Sequence, residues 1–233
     1  MDERVLKELG LLEVSRWYEF DGGAAAATAG VAIATEGAEH AARGADWERL
    51  RELVADCRAC GLCKQRKQAV FGVGAEAGPW LFVGEGPGAD EDEQGEPFVG
   101  QAGKLLDNML AAIGCRRGQD TYIANVVKCR PPGNRTPTAE EAAACAPFLD
   151  RQIELVAPKL IVALGKSAVV RLLGTDASVA SLRGRVHRYR GIPVVVTYHP
   201  AYLLRSLPEK AKAWEDLLFA RRTMGAAVAG DPL

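Results

Sequence analysis

The sequence predicts an α/β fold with an open central, mostly parallel β-sheet flanked by helices. Short apolar runs of strand length alternate with longer stretches whose apolar residues recur at helical spacing, the signature of strand-helix-strand crossovers. Glycine-rich and polar segments fall where the apolar runs end, and open α/β sheets bind ligands outside the carboxyl ends of their strands. The composition is that of an ordinary globular chain: 233 residues, 48% hydrophobic, 25% charged and a formal net charge of -1. This length allows one full domain plus an appendage and excludes a disulfide-stapled miniature or a solenoid-sized array.

Residues 1–20 form an amphipathic segment, with Val5, Leu6, Leu9 and Leu12 at helical spacing before Trp17, Tyr18 and Phe20. Such a segment can dock on the body or on a partner. Residues 21–44, rich in Gly, Ala and Thr, lack periodicity and read as a flexible linker to a body at 45–233. In the body, a helix near Asp46 sets Trp47, Leu50, Leu53 and Val54 on one face and delivers the chain to Cys57. Strands are expected at Trp80–Val83, Thr121–Val127, Lys159–Leu164 and Ile192–Thr197. Helices are expected at Ala102–Ile113, Ala139–Val156, Lys166–Leu173 and Ala211–Thr223. Gly84-Glu85-Gly86-Pro87-Gly88, Asn125 and Tyr198-His199-Pro200 then sit at strand ends.

Charge is unevenly spread. Residues 1–56 hold 12 acidic and 6 basic side chains, which leaves +5 on residues 57–233. A mildly basic body permits a polyanionic partner without requiring one. No apolar stretch reaches the roughly 18 residues that span a bilayer, and Met1-Asp2-Glu3 is acidic where a secretory signal is basic. A cytoplasmic, monomeric chain with no membrane partner is expected.

In that compartment the six cysteines argue against disulfides. Cys57 and Cys60 form a CxxC with Cys63 beyond it, and Cys129 and Cys145 follow far downstream. Thiolates converging from two segments suit an iron-sulfur cluster or tetrahedral zinc. A ribbon-type zinc site presents two tight CxxC knuckles, whereas Cys129 and Cys145 are 16 apart, which tilts the choice toward a cluster.

Nucleotide-loop readings fail. Gly165-Lys166-Ser167 looks like the end of a Walker A loop, but Leu160 stands where the leading glycine belongs. The Gly84–Gly88 run is followed by acids that repel a pyrophosphate. The stretch from Gly84 to Gly100 reads better as a pocket-lining loop, with carboxylates to polarise water and Phe98 as a flat stacking face.

Several blocks together resemble one family. Cys-x-x-Cys, Phe71-Gly-Val-Gly, Val83-Gly-Glu-Gly-Pro-Gly, Pro97-Phe-Val-Gly-Gln-Ala-Gly103, Tyr122-Ile-Ala-Asn125, Val127-Lys-Cys-Arg-Pro-Pro-Gly-Asn-Arg135 and His199-Pro-Ala-Tyr-Leu-Leu-Arg205 are similar to family 4, iron-sulfur uracil-DNA glycosylases. The resemblance runs from about Cys57 to Arg222 and leaves residues 1–45 uncovered; in a chain resembling such a family the N-terminal segment is expected to be a tether to another repair or replication protein, or a docking helix.

It implies the uracil-DNA glycosylase-like three-layer α/β/α fold and excision of uracil from DNA by hydrolysis of the N-glycosidic bond, without a covalent intermediate. It also implies a structural 4Fe-4S cluster on Cys57, Cys60, Cys129 and Cys145, with Cys63 surplus unless ligands swap. By the same resemblance Phe98 stacks on the flipped base, the Asn125 amide pairs with its polar edge and His199 donates to the leaving uracil. Gly86 stands where the best-known uracil glycosylases carry a catalytic Asp, so the water falls to a glutamate, Glu91 first and Glu85 second. Asn134 assists the site, Leu203 or Leu204 forms an apolar wedge and Arg205 meets phosphate. Lys166, Ser167 and the Arg183, Arg185, Arg188 and Arg190 cluster are further phosphate candidates. A zinc base deaminase needs His-x-Glu and Pro-Cys-x-x-Cys, neither of which is present. A non-enzymatic nucleic-acid-binding module accounts for the cysteines but not for the acidic loop together with His199.

Overall fold

The structure, a computed structural model, describes residues 41–230. The expected amphipathic segment 1–20 and residues 21–40 of the expected linker lie outside the described residues. The sheet strands are β1 (Val73–Gly74), β2 (Trp80–Gly84), β3 (Thr121–Asn125), β4 (Leu160–Leu164), β5 (His187–Tyr189) and β6 (Ile192–Thr197). The helices are α1 (Trp47–Ala55), α2 (Ala89–Gln94), α3 (Gln101–Ala112), α4 (Ala139–Val156), α5 (Lys166–Leu173), α6 (Val179–Leu182), α7 (Pro200–Leu203) and α8 (Glu209–Ala229).

The strand order is β1-β3-β2-β4-β6-β5, with β3, β2, β4 and β6 parallel and the two edge strands antiparallel. Every residue of β2, β3 and β4 is buried, as a parallel sheet covered on both faces requires. Alternate side chains serve different layers. Leu81, Val83, Ile161, Ala163, Val194 and Val196 pack with Leu50 and Val54 of α1, Leu149 and Ile153 of α4 and Val169 of α5. On the opposite face Phe82, Val162 and Val195 pack with Leu106 and Leu110 of α3 and Leu217 and Ala220 of α8. The result is the expected three-layer α/β/α arrangement.

Local chemistry starts the helices where they begin. The Asp46 carboxylate accepts the Arg49 N–H at 2.9 Å to cap α1, and Thr138 with Glu141 forms a reciprocal capping box on α4. The described end of the linker is docked: Ala42 is buried in the first core cluster and Arg151 donates to the Ala45 carbonyl at 2.7 Å. No helix among the described residues is long and apolar enough to cross a membrane.

Several elements differ from expectation. Residues 89–94, read as loop, form α2, because Glu91 reaches back to cap its first turn. The edge strands β1 and β5 are too short to show a period-2 pattern. β3 stops at Asn125, after which the Val126 and Val127 N–H groups bond to the carbonyls of Gly84 and Glu85. That pairing holds Asn125 beside the end of β2. From β2 the chain crosses to β3 on one side and returns to β4 on the other, so the ligand crevice is expected above β2.

Candidate active site and cysteine centre

A cleft of about 540 Å³ opens at the carboxyl ends of the parallel strands. The segment after β2 supplies Glu85, Gly86 and Glu91, β3 supplies Asn125, the β4–α5 turn supplies Gly165 and Lys166, and the end of β6 leads to His199. Phe98, Asn134 and Arg205 also line it. Ser167, Leu203 and Leu204 do not line the cleft.

Its inner wall is built by close approach. A Cβ on Gly84 would lie 2.5 Å from both Asn125 Oδ1 and Phe98 Cζ, so only glycine lets these two side chains meet at the strand end. A Cβ on Gly103 would lie 1.8 Å from the Phe98 carbonyl oxygen, which is why helix α3 can seat against the Pro97-Phe98 turn. The Phe98 ring lies 5.5 Å from the His199 ring, tilted by 32°. Two buried polar atoms on this wall have no hydrogen-bond partner: Asn125 Oδ1 and His199 Nε2. Buried groups of this kind are rare because each forgoes its hydration, and here both border one cleft.

The protonation of His199 follows from its contacts. Its Nδ1 accepts the Ala201 N–H at 3.2 Å, which places the ring proton of the neutral form on Nε2. Burial, aided by the Arg205 charge and opposed by Glu91, lowers its pKa from 6.5 to about 4. At neutral pH the cleft therefore faces a neutral imidazole with an N–H to give.

The two glutamates differ. Glu91 is wholly engaged with backbone: Oε2 accepts the Gly88 N–H at 3.0 Å, and Oε1 accepts those of Val99 at 2.9 Å and Gly100 at 3.0 Å. It braces the two ends of the acidic loop against each other. Glu85 uses Oε2 to accept the Ser167 hydroxyl and lies on the cleft wall. Asp92, next to Glu91, is buried and accepts the Lys67 N–H at 3.0 and 3.1 Å, tying α2 to the segment that follows the CxxC.

Around the rim, Lys166 donates to the carbonyls of Asp176 and Ala177, and Asn134 accepts from Arg130 at 2.7 Å. Arg205 is exposed. Leu203 is corrected as a wedge: it is 1% exposed within the α3–α8 core, whereas Leu204 is 42% exposed. In the arginine cluster, Arg183 is paired with Asp216 and Glu215, and Arg190 with Asp150 and Glu154.

Sequence reasoning missed the support beneath Asn125. Lys128 is fully buried and its Nζ donates to the Asn125 carbonyl at 2.9 Å and to Gln152 Oε1 at 2.6 Å. Gln152 in turn donates to the Phe71 carbonyl and the Tyr122 hydroxyl. The available signal was a lysine directly after a buried strand run.

Cys57, Cys60, Cys129 and Cys145 line one cavity together, and Cys63 is not among its lining residues. Arg66 donates to Cys129 Sγ at 2.9 Å, the Lys128 N–H to Cys145 Sγ at 3.3 Å and the Ala59 N–H to Cys57 Sγ at 3.5 Å. Donors of this kind are what metal-bound thiolates receive from their surroundings. Burial pushes the Cys129 thiol up to about 11 and the Cys145 thiol up to about 12, so holding both as thiolates calls for a cationic centre between them. Among the described residues no three Cys, His, Asp or Glu side chains are set around a single ion. A four-iron cluster takes one thiolate on each iron and so accepts a wider set. Four thiols on one cavity wall, three of them receiving hydrogen bonds, are a donor set that fits a cluster.

A family model of the uracil DNA glycosylase superfamily matches residues 71–218. A type-4 uracil-DNA glycosylase of Pyrobaculum aerophilum is 45% identical over 180 residues, 74% of this chain and 91% of that protein. One from Thermotoga maritima is 48% identical over 165 residues, 68% of this chain and 85% of that protein. A type-5 uracil-DNA glycosylase of Pyrobaculum aerophilum is 42% identical over a shorter stretch of 85 residues, 35% of this chain and 37% of that protein. Matched at such identity over most of both chains, this chain belongs to the type-4 uracil-DNA glycosylases of the uracil DNA glycosylase superfamily.

Proposed function

We infer that the cleft receives a deoxyuridine flipped out of DNA, and that Phe98, Asn125 and His199 recognise its base and assist its departure. The enzyme excises uracil from DNA by hydrolysing the N-glycosidic bond, which leaves an abasic site for base excision repair. The observation that carries the residue assignment is the pair of buried, unpartnered atoms on one wall, an acceptor on Asn125 and a donor on His199. Uracil presents the complement: an imide N–H between two carbonyls.

Phe98 stacks on the flipped ring and helps recover the few kcal/mol spent on unstacking. Asn125 Oδ1 accepts N3–H while its amide nitrogen donates to O4. As the C1′–N1 bond breaks, its electron pair stays on the base and the charge spreads to O2, where His199 Nε2–H donates. A water then bonds to C1′ and passes its proton to a carboxylate. The hydrogen bonds lead us to prefer Glu85 for that water, reversing the order expected from sequence, because both Glu91 oxygens already serve the backbone. Leu204 is the wedge into the vacated stack, Arg205 and Lys166 meet phosphate, and Asn134 supports the rim.

Steady-state release of free uracil from a strand carrying one uracil, over a range of DNA concentrations, tests the glutamate assignment. Glu85→Gln is expected to slow release about 10²-fold with little change in KM. Glu91→Gln turns an amide NH2 toward backbone donors and is expected to raise KM as well as lower the rate. A Glu91→Gln effect confined to kcat, with Glu85→Gln near wild type, would return the water to Glu91.

Cys57, Cys60, Cys129 and Cys145 would hold a 4Fe-4S cluster. Its contribution is a cross-link between the CxxC segment and the residues after β3, with no part in bond cleavage. Iron and acid-labile sulfide in the purified protein are expected to be lost in Cys145→Ala and retained in Cys63→Ala. Loss in Cys63→Ala with retention in Cys57→Ala would instead assign the second CxxC pair, Cys60 and Cys63.

A further inference from the structure

Phe98, the aromatic face of the cleft, has a backbone φ of 57°, a left-handed conformation that a bulky L-residue rarely adopts. Something must hold it there. Arg117, in the connection between α3 and β3, donates from one guanidinium nitrogen to the Pro97 carbonyl at 2.8 Å and from the other to the Phe98 carbonyl at 2.8 Å. Its own geometry is fixed by Asp107 at 2.9 Å and Glu96 at 3.3 Å, and its side chain is 19% exposed. From the other side Glu91 accepts the next two N–H groups, those of Val99 and Gly100. The strained residue is thus gripped through the carbonyls before and at it by a cation, and through the amides after it by an anion. Arg117 does not line the cleft, so whatever it does for the base it does through Phe98.

We propose that Arg117 is a positioning residue for uracil recognition, a planar fork that locks the strained Pro97-Phe98 turn so that the ring faces the flipped base. The proposal rests on the reading that Phe98 stacks on uracil. A lysine has one terminal nitrogen and cannot span both carbonyls as a planar guanidinium does. Its charge alone is not enough.

The test is a double-mutant cycle between Arg117→Ala and Phe98→Ala in the full-length, cluster-loaded enzyme. The readouts are single-turnover uracil release and inhibition by free uracil, with melting temperature recorded beside them. In the presence of Phe98, Arg117→Ala is expected to weaken uracil inhibition and slow release, each by about 10-fold, with Arg117→Lys between it and wild type. In the Phe98→Ala background the same change is expected to alter either readout less than about 2-fold, because the group it positions is gone. Equal losses in both backgrounds would make Arg117 a merely structural residue and overturn the proposal, as would an unaffected Arg117→Ala. Should Arg117→Ala not fold, the cycle run with Arg117→Lys decides by the same comparison. Unchanged uracil inhibition in Phe98→Ala alone would remove the stacking reading and the proposal with it. Weakened inhibition in Phe98→Ala alongside a wild-type Arg117→Ala would remove only the proposal.

Discussion

Replacing His199 with alanine is expected to slow single-turnover uracil release by about 10³-fold while leaving DNA binding nearly intact, because the lost donor acts on charge that develops only in the transition state. The donor is neutral. With Nδ1 committed to the Ala201 N–H and the pKa lowered to about 4, Nε2 carries the proton throughout the neutral range. The rate is therefore expected to show no inflection near pH 6.5 attributable to this residue, and a pH-rate profile checks it. A stability consequence has a definite sign. Since the folded-state value lies below the ordinary 6.5, the stabilisation is fully present above that pH and is lost as pH falls toward about 4. The full loss is about 3 kcal/mol at about 1.4 kcal/mol per unit. Chemical denaturation at pH 7 and pH 4 is expected to show a larger loss in the wild type than in His199→Ala, the difference between the two being the His199 contribution.

Asn125→Asp is expected to reduce uracil release by a similar factor, about 10³-fold. A buried site made to hydrogen-bond its ligand rejects a mismatched edge strongly. The substitution keeps an acceptor for N3–H but replaces the amide donor facing O4 with a second acceptor. The side chain has no room to escape, since Gly84 brings the β2 backbone against Asn125 Oδ1. The lysine and glutamine beneath hold the Asn125 backbone where it is. Single-turnover release at saturating enzyme measures the loss. An effect within 10-fold of wild type would mean the amide does not contact the base.

The buried strands were legible because β2 and β4 are apolar on both faces and β3 is apolar between Thr121 and Asn125, and because α3 and α4 carry apolar residues at helical spacing; α8 has a weaker stripe, with Asp216 and Thr223 on its buried side. α2 was not legible. Ala-Asp-Glu-Asp-Glu-Gln has no apolar stripe; its helix depends on the Glu91 cap over a glycine N-cap that carries no Ser, Thr, Asp or Asn signal, and on Asp92 gripping the Lys67 N–H, a contact distant in sequence. The cleft residues Phe98, Asn125 and His199 could be named from motif and strand-end position. Whether a leucine after His199 faces core or solvent could not: Leu203 and Leu204 are adjacent in α7 and its cap, and only packing against α3 and α8 separates them. Arg117 was invisible for a similar reason. An arginine in a turn reads as a solvated surface charge until the two carbonyls it binds are seen.

In the proposed mechanism Asn125 and His199 form the hydrogen-bonding pair that reads the uracil edge. Its most direct test is base release by the full-length enzyme from three otherwise identical strands carrying a single uracil, cytosine or thymine. Uracil is expected to be released and cytosine left in place, because cytosine sets a donor against a donor and an acceptor against an acceptor at Asn125, with thymine as the comparison for an added C5 methyl. Release of cytosine at a rate comparable to uracil would contradict the account.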